Sequence, residues 1–138
     1  MTTVMKENVP LQELTEQSTP RVTFGWELIL DLYDCDYAKI SSEQTIREYA
    51  TELCKVIDMK PYGPPQTPYF GEQHEHTKGY SLLQFIETSS IVGHFSEGTG
   101  GVYINIFSCK PYDAHVAETF TKNWFGAQSV KARFLVRE

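Results

Sequence analysis

Residues 79–109 read GYSLLQFIETSSIVGHFSEGTGGVYINIFSC and hold three short runs rich in β-branched and aromatic residues. These runs, at about 80–87, 89–95 and 101–108, have the length and composition of strands. The last two are separated by a glycine-rich segment that is typical of a hairpin turn. The stretch therefore predicts three consecutive strands.

Upstream of this stretch, the sequence predicts one strand and one helix. Apolar residues alternate over residues 22–33, as they do in a half-buried strand. Ser41 and Gln44 have the spacing of a capping box, and apolar residues then recur on one face of a helix over about residues 43–58. The proline-rich residues 61–65 end that helix, because proline cannot donate to the helix ladder.

Downstream, the sequence predicts a second helix and a closing strand. Apolar side chains recur every four residues over about 111–125, and alternate with basic residues over about 130–136. This order of elements predicts an α+β fold, a two-layer sandwich in which two helices pack on one face of a mostly antiparallel β-sheet. Because residues around 82–85 are apolar on both faces, we expect a second copy to cover the open face, which makes a homodimer.

Composition bounds the protein class. A chain of 138 residues with 41% hydrophobic content suits one domain, which we place at residues 22–138 after a flexible polar tail at residues 1–21. No apolar run approaches the ~20 residues of a membrane span and no leader is evident, so we expect a cytoplasmic protein. The net charge of −6 lacks the basic stripe that binding to nucleic acid requires.

The metal-ligating residue types do not form a recognisable site. Three cysteines are an odd number without paired spacing, which favours neither a disulfide framework nor a four-ligand zinc site. His74 and His76 would point the same way on a strand and could share a metal ion, but spacing fixes no third ligand. We therefore expect a solvated loop and no metal there.

Four residues of the central stretch occur at the spacing of a known family. Ser81, Ser89, His94 and Cys109 follow one another at intervals of eight, five and fifteen residues. The chain resembles, over about residues 23–137, the bacterial-type S-adenosylmethionine decarboxylases, which carry the same residue types at these intervals. That resemblance implies a self-cleaving, pyruvoyl-dependent enzyme that supplies decarboxylated S-adenosylmethionine for spermidine synthesis.

The resemblance also implies how the cofactor arises. The hydroxyl of Ser89 would attack the carbonyl of Thr88, and the ester formed would break to leave a pyruvoyl group derived from Ser89. Ser81 would support this processing and His94 would take the α-proton. Cleavage between Thr88 and Ser89 would give a β chain ending at Thr88 and an α chain beginning at Ser89.

A role in the mature enzyme is implied for Cys109. Decarboxylation leaves a carbanion that no ordinary side chain can hold, whereas a pyruvoyl carbonyl joined to the substrate amine as a Schiff base can. Cys109 would return a proton to the α-carbon, because a thiol with the ordinary pKa of ~8.5 is mostly protonated at neutral pH.

Departures from the family pattern leave the substrate open. Thr88 stands where the family usually has Glu, which predicts slower cleavage. Residues 72–78 are acidic and histidine-bearing where relatives have aromatic and proline residues, so arginine or ornithine is an alternative substrate. Glu97 and Glu75 are weak candidates for binding it. A further alternative is a relative that never cleaves itself and acts as a ligand-binding or regulatory subunit.

Overall fold

A computed structural model describes residues 21–138 of the chain. The predicted tail at residues 1–21 lies outside this range except for Arg21. Within the range, no helix has both the length and the apolar character needed to cross a membrane.

One antiparallel sheet forms the centre of the fold. In the described part of the chain it has six strands, namely β1 (Gly25–Tyr33), β2 (Tyr69–Phe70), β3 (Gly79–Ile86), β4 (Ser89–Ser96), β5 (Gly101–Ser108) and β6 (Ser129–Arg137). Their spatial order is β2-β3-β4-β5-β1-β6, and every neighbouring pair is antiparallel. The three central strands and the hairpin between β4 and β5 are confirmed, with bounds that differ from the predicted ones by no more than a residue.

Helices pack on one face of this sheet, which confirms the predicted α+β sandwich. They are α1 (Tyr37–Ile40), α2 (Glu43–Val56) and α3 (Ala114–Phe125). The single-turn helix α1 was not predicted; it begins where Asp36 Oδ1 accepts a hydrogen bond from the backbone N–H of Ala38.

The predicted capping box of Ser41 with Gln44 is wrong. Ser42 is the N-cap of α2, since its hydroxyl accepts from the backbone N–H of Thr45 at 3.1 Å. Ser41 ends α1 instead, and its hydroxyl donates to the carbonyl oxygen of Tyr37 at 2.7 Å. Ser41 thus belongs to the end of the unpredicted helix α1, and not to the start of α2 as its spacing had indicated.

Helix α3 begins three residues later than predicted. Asp113 is its N-cap and accepts from the backbone N–H of Val116, so the preceding proline lies outside the helix. The buried stripe of α3 is shifted by one position from the predicted repeat, and consists of Ala117, Thr121 and Phe125.

The core lies between the helices and the inward face of the sheet. Leu28, Leu30 and Leu32 of β1 are at most 1% exposed and pair in register with Ile106, Ile104 and Val102 of β5. Each such side chain contributes about 1.5–3 kcal/mol of hydrophobic stabilisation. The hydroxyls of Tyr49 in α2 and Thr121 in α3, 2.7 Å apart, join the two long helices.

The outward face of the sheet has no covering layer in the described chain. Its large apolar side chains Phe85, Val92, Tyr103 and Leu135 are between 42% and 45% exposed. Toward β6 the same face carries ion pairs between Asp31 and Arg133 and between Glu27 and Arg137. We call this surface the open face.

Candidate functional site

The predicted cleavage site lies at the tip of the β3–β4 hairpin. Glu87 and Thr88 form a two-residue turn, on either side of which Ile86 pairs with Ser89. Neither turn residue has the positive φ that the usual mirror-image hairpin turns require. Other contacts must therefore hold the Thr88 peptide in place.

Cys109 provides two of those contacts. Its backbone N–H donates to the carbonyl oxygen of Thr88 at 3.1 Å, and its thiol donates to the same oxygen at 3.2 Å. Two donors on one carbonyl oxygen stabilise negative charge that develops there, as an oxyanion hole does. The structure thus brings Cys109, which directly follows β5, against the peptide bond between Thr88 and Ser89.

A pair of hydroxyls anchors the Thr88 side chain. Thr88 Oγ1 lies 2.7 Å from Ser108 Oγ, and Ser108, fully buried, also accepts from the backbone N–H of Lys110 at 2.9 Å. Both hydroxyls face the sulfur of Met59. We call Thr88 and Ser108 the hydroxyl clamp. Sequence reasoning missed Ser108, although a serine at an inward position of an apolar strand was a usable signal.

Ser81 and His94 meet at the opposite end of the hairpin, on the open face. They are register partners on β3 and β4, and Ser81 Oγ lies 2.8 Å from His94 Nδ1. His94 Nε2 lies 2.7 Å from the carbonyl oxygen of Thr77, which can only accept, so Nε2 carries a hydrogen. With Nε2 donating, the uncharged form of the ring accepts from the Ser81 hydroxyl at Nδ1. The arrangement orients an imidazole that can move a proton.

A cavity of about 530 Å³ lies beside this pair and opens on the same face. Its lining includes Phe70, Tyr103 and Asn105. The ring of Phe70 stacks on that of His94, with centroids 6.0 Å apart and planes inclined by 25°. Burial, assisted by the neighbouring Tyr33 and Asp31, raises the pKa of Tyr103 above its ordinary value. Sequence reasoning missed Phe70, because a two-residue edge strand leaves little pattern.

The four spaced residues do not form one cluster within a single chain. Ser89 and His94 are five residues apart on β4, which separates them by roughly 17 Å at about 3.4 Å per residue. An odd separation along a strand also turns the two side chains to opposite faces. The structure therefore gives two half-sites: Ser89 with Thr88 and Cys109 at the tip, and Ser81 with His94 at the far end.

The weaker candidates lie near the far end. Glu97 accepts a hydrogen bond from the Tyr69 hydroxyl at 3.0 Å. The pKa of Tyr69 is raised, mainly by partial desolvation and to a lesser extent by the Glu97 carboxylate. Glu75 binds Lys78 at 3.2 Å and raises the pKa of that ammonium group. Both carboxylates thus already have partners, and neither lines the cavity.

The histidine-bearing loop shows no convergent metal ligands. The rings of His74 and His76 lie 5.8 Å apart. Across residues 21–138, no three or more His, Cys, Asp or Glu side chains are grouped so that they could hold a metal ion.

Comparison with known proteins places the chain. The sequence profile of the S-adenosylmethionine decarboxylase family matches residues 26–138. No curated protein matches the chain significantly. Its fold is similar to that in the crystal structure of the adenosylmethionine decarboxylase from Aquifex aeolicus VF5, with a TM-score of 0.72 and 19% identity over 85% of this chain and 92% of that one. Since the profile spans nearly all of the sheet and helices described above, the chain belongs to the S-adenosylmethionine decarboxylase family.

Proposed function

We propose that the protein cleaves itself between Thr88 and Ser89 and then decarboxylates S-adenosylmethionine with the resulting pyruvoyl group, supplying decarboxylated S-adenosylmethionine for spermidine synthesis. The observation that carries this proposal is the double hydrogen bond from Cys109 to the Thr88 carbonyl oxygen. This is the oxygen on which negative charge develops when the neighbouring Ser89 hydroxyl attacks, so the two donors lower the barrier to that step.

The processing chemistry uses residues at the tip. Ser89 Oγ bonds to the Thr88 carbonyl carbon, and the peptide C–N bond breaks to give an ester and a free amine. Loss of the Ser89 α-proton to a base breaks the Cβ–Oγ bond, and Thr88 leaves as a carboxylate. Water hydrolyses the dehydroalanine end and releases ammonia, which leaves the pyruvoyl group.

The base for this step comes from a second copy of the chain. A general base must lie within hydrogen-bond reach of the proton it takes, and His94 of the same chain lies roughly 17 Å away along β4. His94 projects from the open face, whose apolar side chains are left exposed. Two copies that pack these faces together, as a homodimer, can supply the tip of one chain with the partner's His94 and Ser81.

The mature site favours S-adenosylmethionine among the candidate substrates. The pyruvoyl group supplies the electron sink for decarboxylation when it has formed. Phe70 offers the flat apolar ring that an adenine needs and that arginine or ornithine does not use. Glu75 and Glu97 do not line the cavity, but their negative charge attracts a cationic substrate. The exposed thiol of Cys109 lies next to the new α-chain terminus and serves as the proton donor.

One observation favours a second candidate function. The separation of the two half-sites within a single chain also fits a subunit that never cleaves and binds a ligand in the cavity beside His94. Such a subunit would remain intact on storage, which makes cleavage the deciding property.

Intact-mass analysis of the purified protein tests the proposal. We expect two fragments that meet at Thr88 and Ser89, the smaller with a blocked amino terminus, and release of labelled carbon dioxide from S-adenosylmethionine but not from arginine or ornithine. Ser89→Ala should remain a single chain near 15.8 kDa. Ser90→Ala, which alters the next residue on the opposite face, should cleave as the wild type does. An intact wild-type chain would overturn the proposal.

A further inference from the structure

The oxygen of Thr88 that Cys109 holds stays in the protein after cleavage. We propose that the carboxylate left on Thr88 becomes a built-in partner of Cys109 that keeps its thiol in the neutral, proton-donating form. This inference rests on the proposed function, because the carboxylate exists only if the chain cleaves between Thr88 and Ser89.

The chemistry of cleavage places this charge. One oxygen of the new carboxylate is the former carbonyl oxygen, which already accepts from the Cys109 N–H at 3.1 Å and from its thiol at 3.2 Å. The other is the former Ser89 Oγ. A neutral amide oxygen is therefore exchanged for a negative one at hydrogen-bond distance from the thiol. A negative neighbour disfavours a second negative charge, so the thiol holds its proton more tightly.

The new chain end is held where it forms. The hydroxyl clamp ties Thr88 to Ser108 at 2.7 Å, and Ser108 directly precedes Cys109 at the end of β5. The residue before Thr88 is anchored as well, since the backbone N–H of Glu87 donates to the carbonyl oxygen of Lys60 at 3.0 Å. Thr88 and Ser108 are thus positioning residues that keep acceptor and donor together once the covalent link is gone.

Charged groups near the tip are already paired with each other. Lys110, the neighbour of Cys109 in sequence, binds Asp58 at 3.0 Å, and Lys60 binds Glu87 at 3.4 Å. Each pair largely cancels its own field, so the Thr88 carboxylate adds an uncompensated charge beside the thiol. The thiol of Cys109 would therefore bind its proton more tightly after cleavage than before it.

Alkylation kinetics test the inference. Iodoacetamide reacts with thiolates, and the site of reaction is read by peptide mass. Burial raises the pKa of Cys35 and Cys54 to about 11, so these thiols react slowly below pH 9. The pH midpoint of Cys109 alkylation reports how tightly the thiol holds its proton, whereas the limiting rate at high pH reports access. Cleaved wild type is compared with uncleaved Ser89→Ala.

We expect the midpoint to lie at least one pH unit higher in the cleaved protein, with about tenfold slower alkylation at pH 8. Thr88→Val removes the clamp hydroxyl and should bring the midpoint of the cleaved chain back toward that of Ser89→Ala, whereas Thr88→Ser should keep it. Ser108→Ala provides a second break of the clamp if Thr88→Val folds poorly.

The outcomes separate this inference from the proposed function. A wild-type chain that stays intact overturns both. A cleaved chain whose midpoint equals or lies below that of Ser89→Ala overturns only the role of the Thr88 carboxylate. A cleaved Thr88→Val chain with the wild-type midpoint overturns the role of the clamp.

Discussion

The two ends of the β3–β4 hairpin differ in what holds them. At the tip, hydrogen bonds tie the Thr88 carbonyl to Cys109 and the Thr88 hydroxyl to the buried Ser108. At the far end, Ser81 and His94 stand on an exposed sheet face, beside a cavity. The tip is held by contacts within its own chain, whereas the far end lies on a face that residues 21–138 leave uncovered. This contrast is what the proposed sharing of one reaction between two copies requires, and the following experiments test it.

The largest expected effect comes from mixing two inactive variants. His94→Ala and Ser89→Ala should each remain intact alone, because one lacks the base and the other the nucleophile. Co-expressed, they should form mixed dimers in which the His94→Ala chain is cleaved by its partner's imidazole. Intact mass should show about half of the His94→Ala chains cleaved, the share expected from random pairing. Absence of cleavage in the mixture would contradict a shared site.

A charge on the open face should prevent two copies from packing together and combining their half-sites. Val92→Asp places a carboxylate in the apolar part of that face, and burying an unpaired charge in an interface costs several kcal/mol. We expect a monomer in sedimentation experiments that no longer cleaves. Val116→Asp, at a similarly exposed position on α3, is the matched control and should leave both properties unchanged. A cleaving monomer would show that one chain holds a complete site.

A smaller effect is expected when only the orientation of His94 is disturbed. Ser81→Ala removes the 2.8 Å hydrogen bond to Nδ1. A hydrogen bond of this kind is worth about 1–1.5 kcal/mol, which corresponds to roughly tenfold slower cleavage. The rate is followed by gel densitometry of freshly translated chain. Cleavage at the wild-type rate would mean that Ser81 has no part in positioning the imidazole.

The smallest effect on cleavage should come from a change in the core. Tyr49→Phe leaves the buried Thr121 hydroxyl without its partner and should cost about 1–3 kcal/mol of unfolding free energy. Thermal denaturation of the uncleaved Ser89→Ala background measures this loss as a fall of several degrees in Tm. Cleavage of the single variant at 25 °C should be unchanged, since Tyr49 touches neither half-site.

Much of the fold, and the proximity of Ser81 to His94, could be predicted from the sequence. Alternating apolar residues predicted the first and last strands, because one face of each must be buried, and β-branched and aromatic runs predicted β3, β4 and β5. Ser81 and His94 lie equally far from the Glu87-Thr88 turn, so a tight hairpin makes them direct neighbours. The same strand geometry separates Ser89 from His94. A match to the residue intervals of a family does not reveal this distance, because it does not say how far apart the residues lie in space.

The tip could not be predicted in the same way. The contact of Cys109 with Thr88 depends on the β4–β5 register, which packing across the whole sheet decides. Helix α1 is a single turn, too short to show a periodic pattern. Phe70 reaches His94 only because the two-residue strand β2 pairs at the edge of the sheet.

The sheet topology bears on the lifetime of the cleaved protein. A cut at the hairpin tip puts β1 and β3 in one polypeptide and β4, β5 and β6 in the other, so three antiparallel ladders cross the break. Those ladders hold the two pieces together without a covalent link. Once unfolded, however, the pieces must find each other by diffusion instead of closing a two-residue loop. The mature protein would then persist for as long as it avoids unfolding, because the route by which it first folded no longer exists.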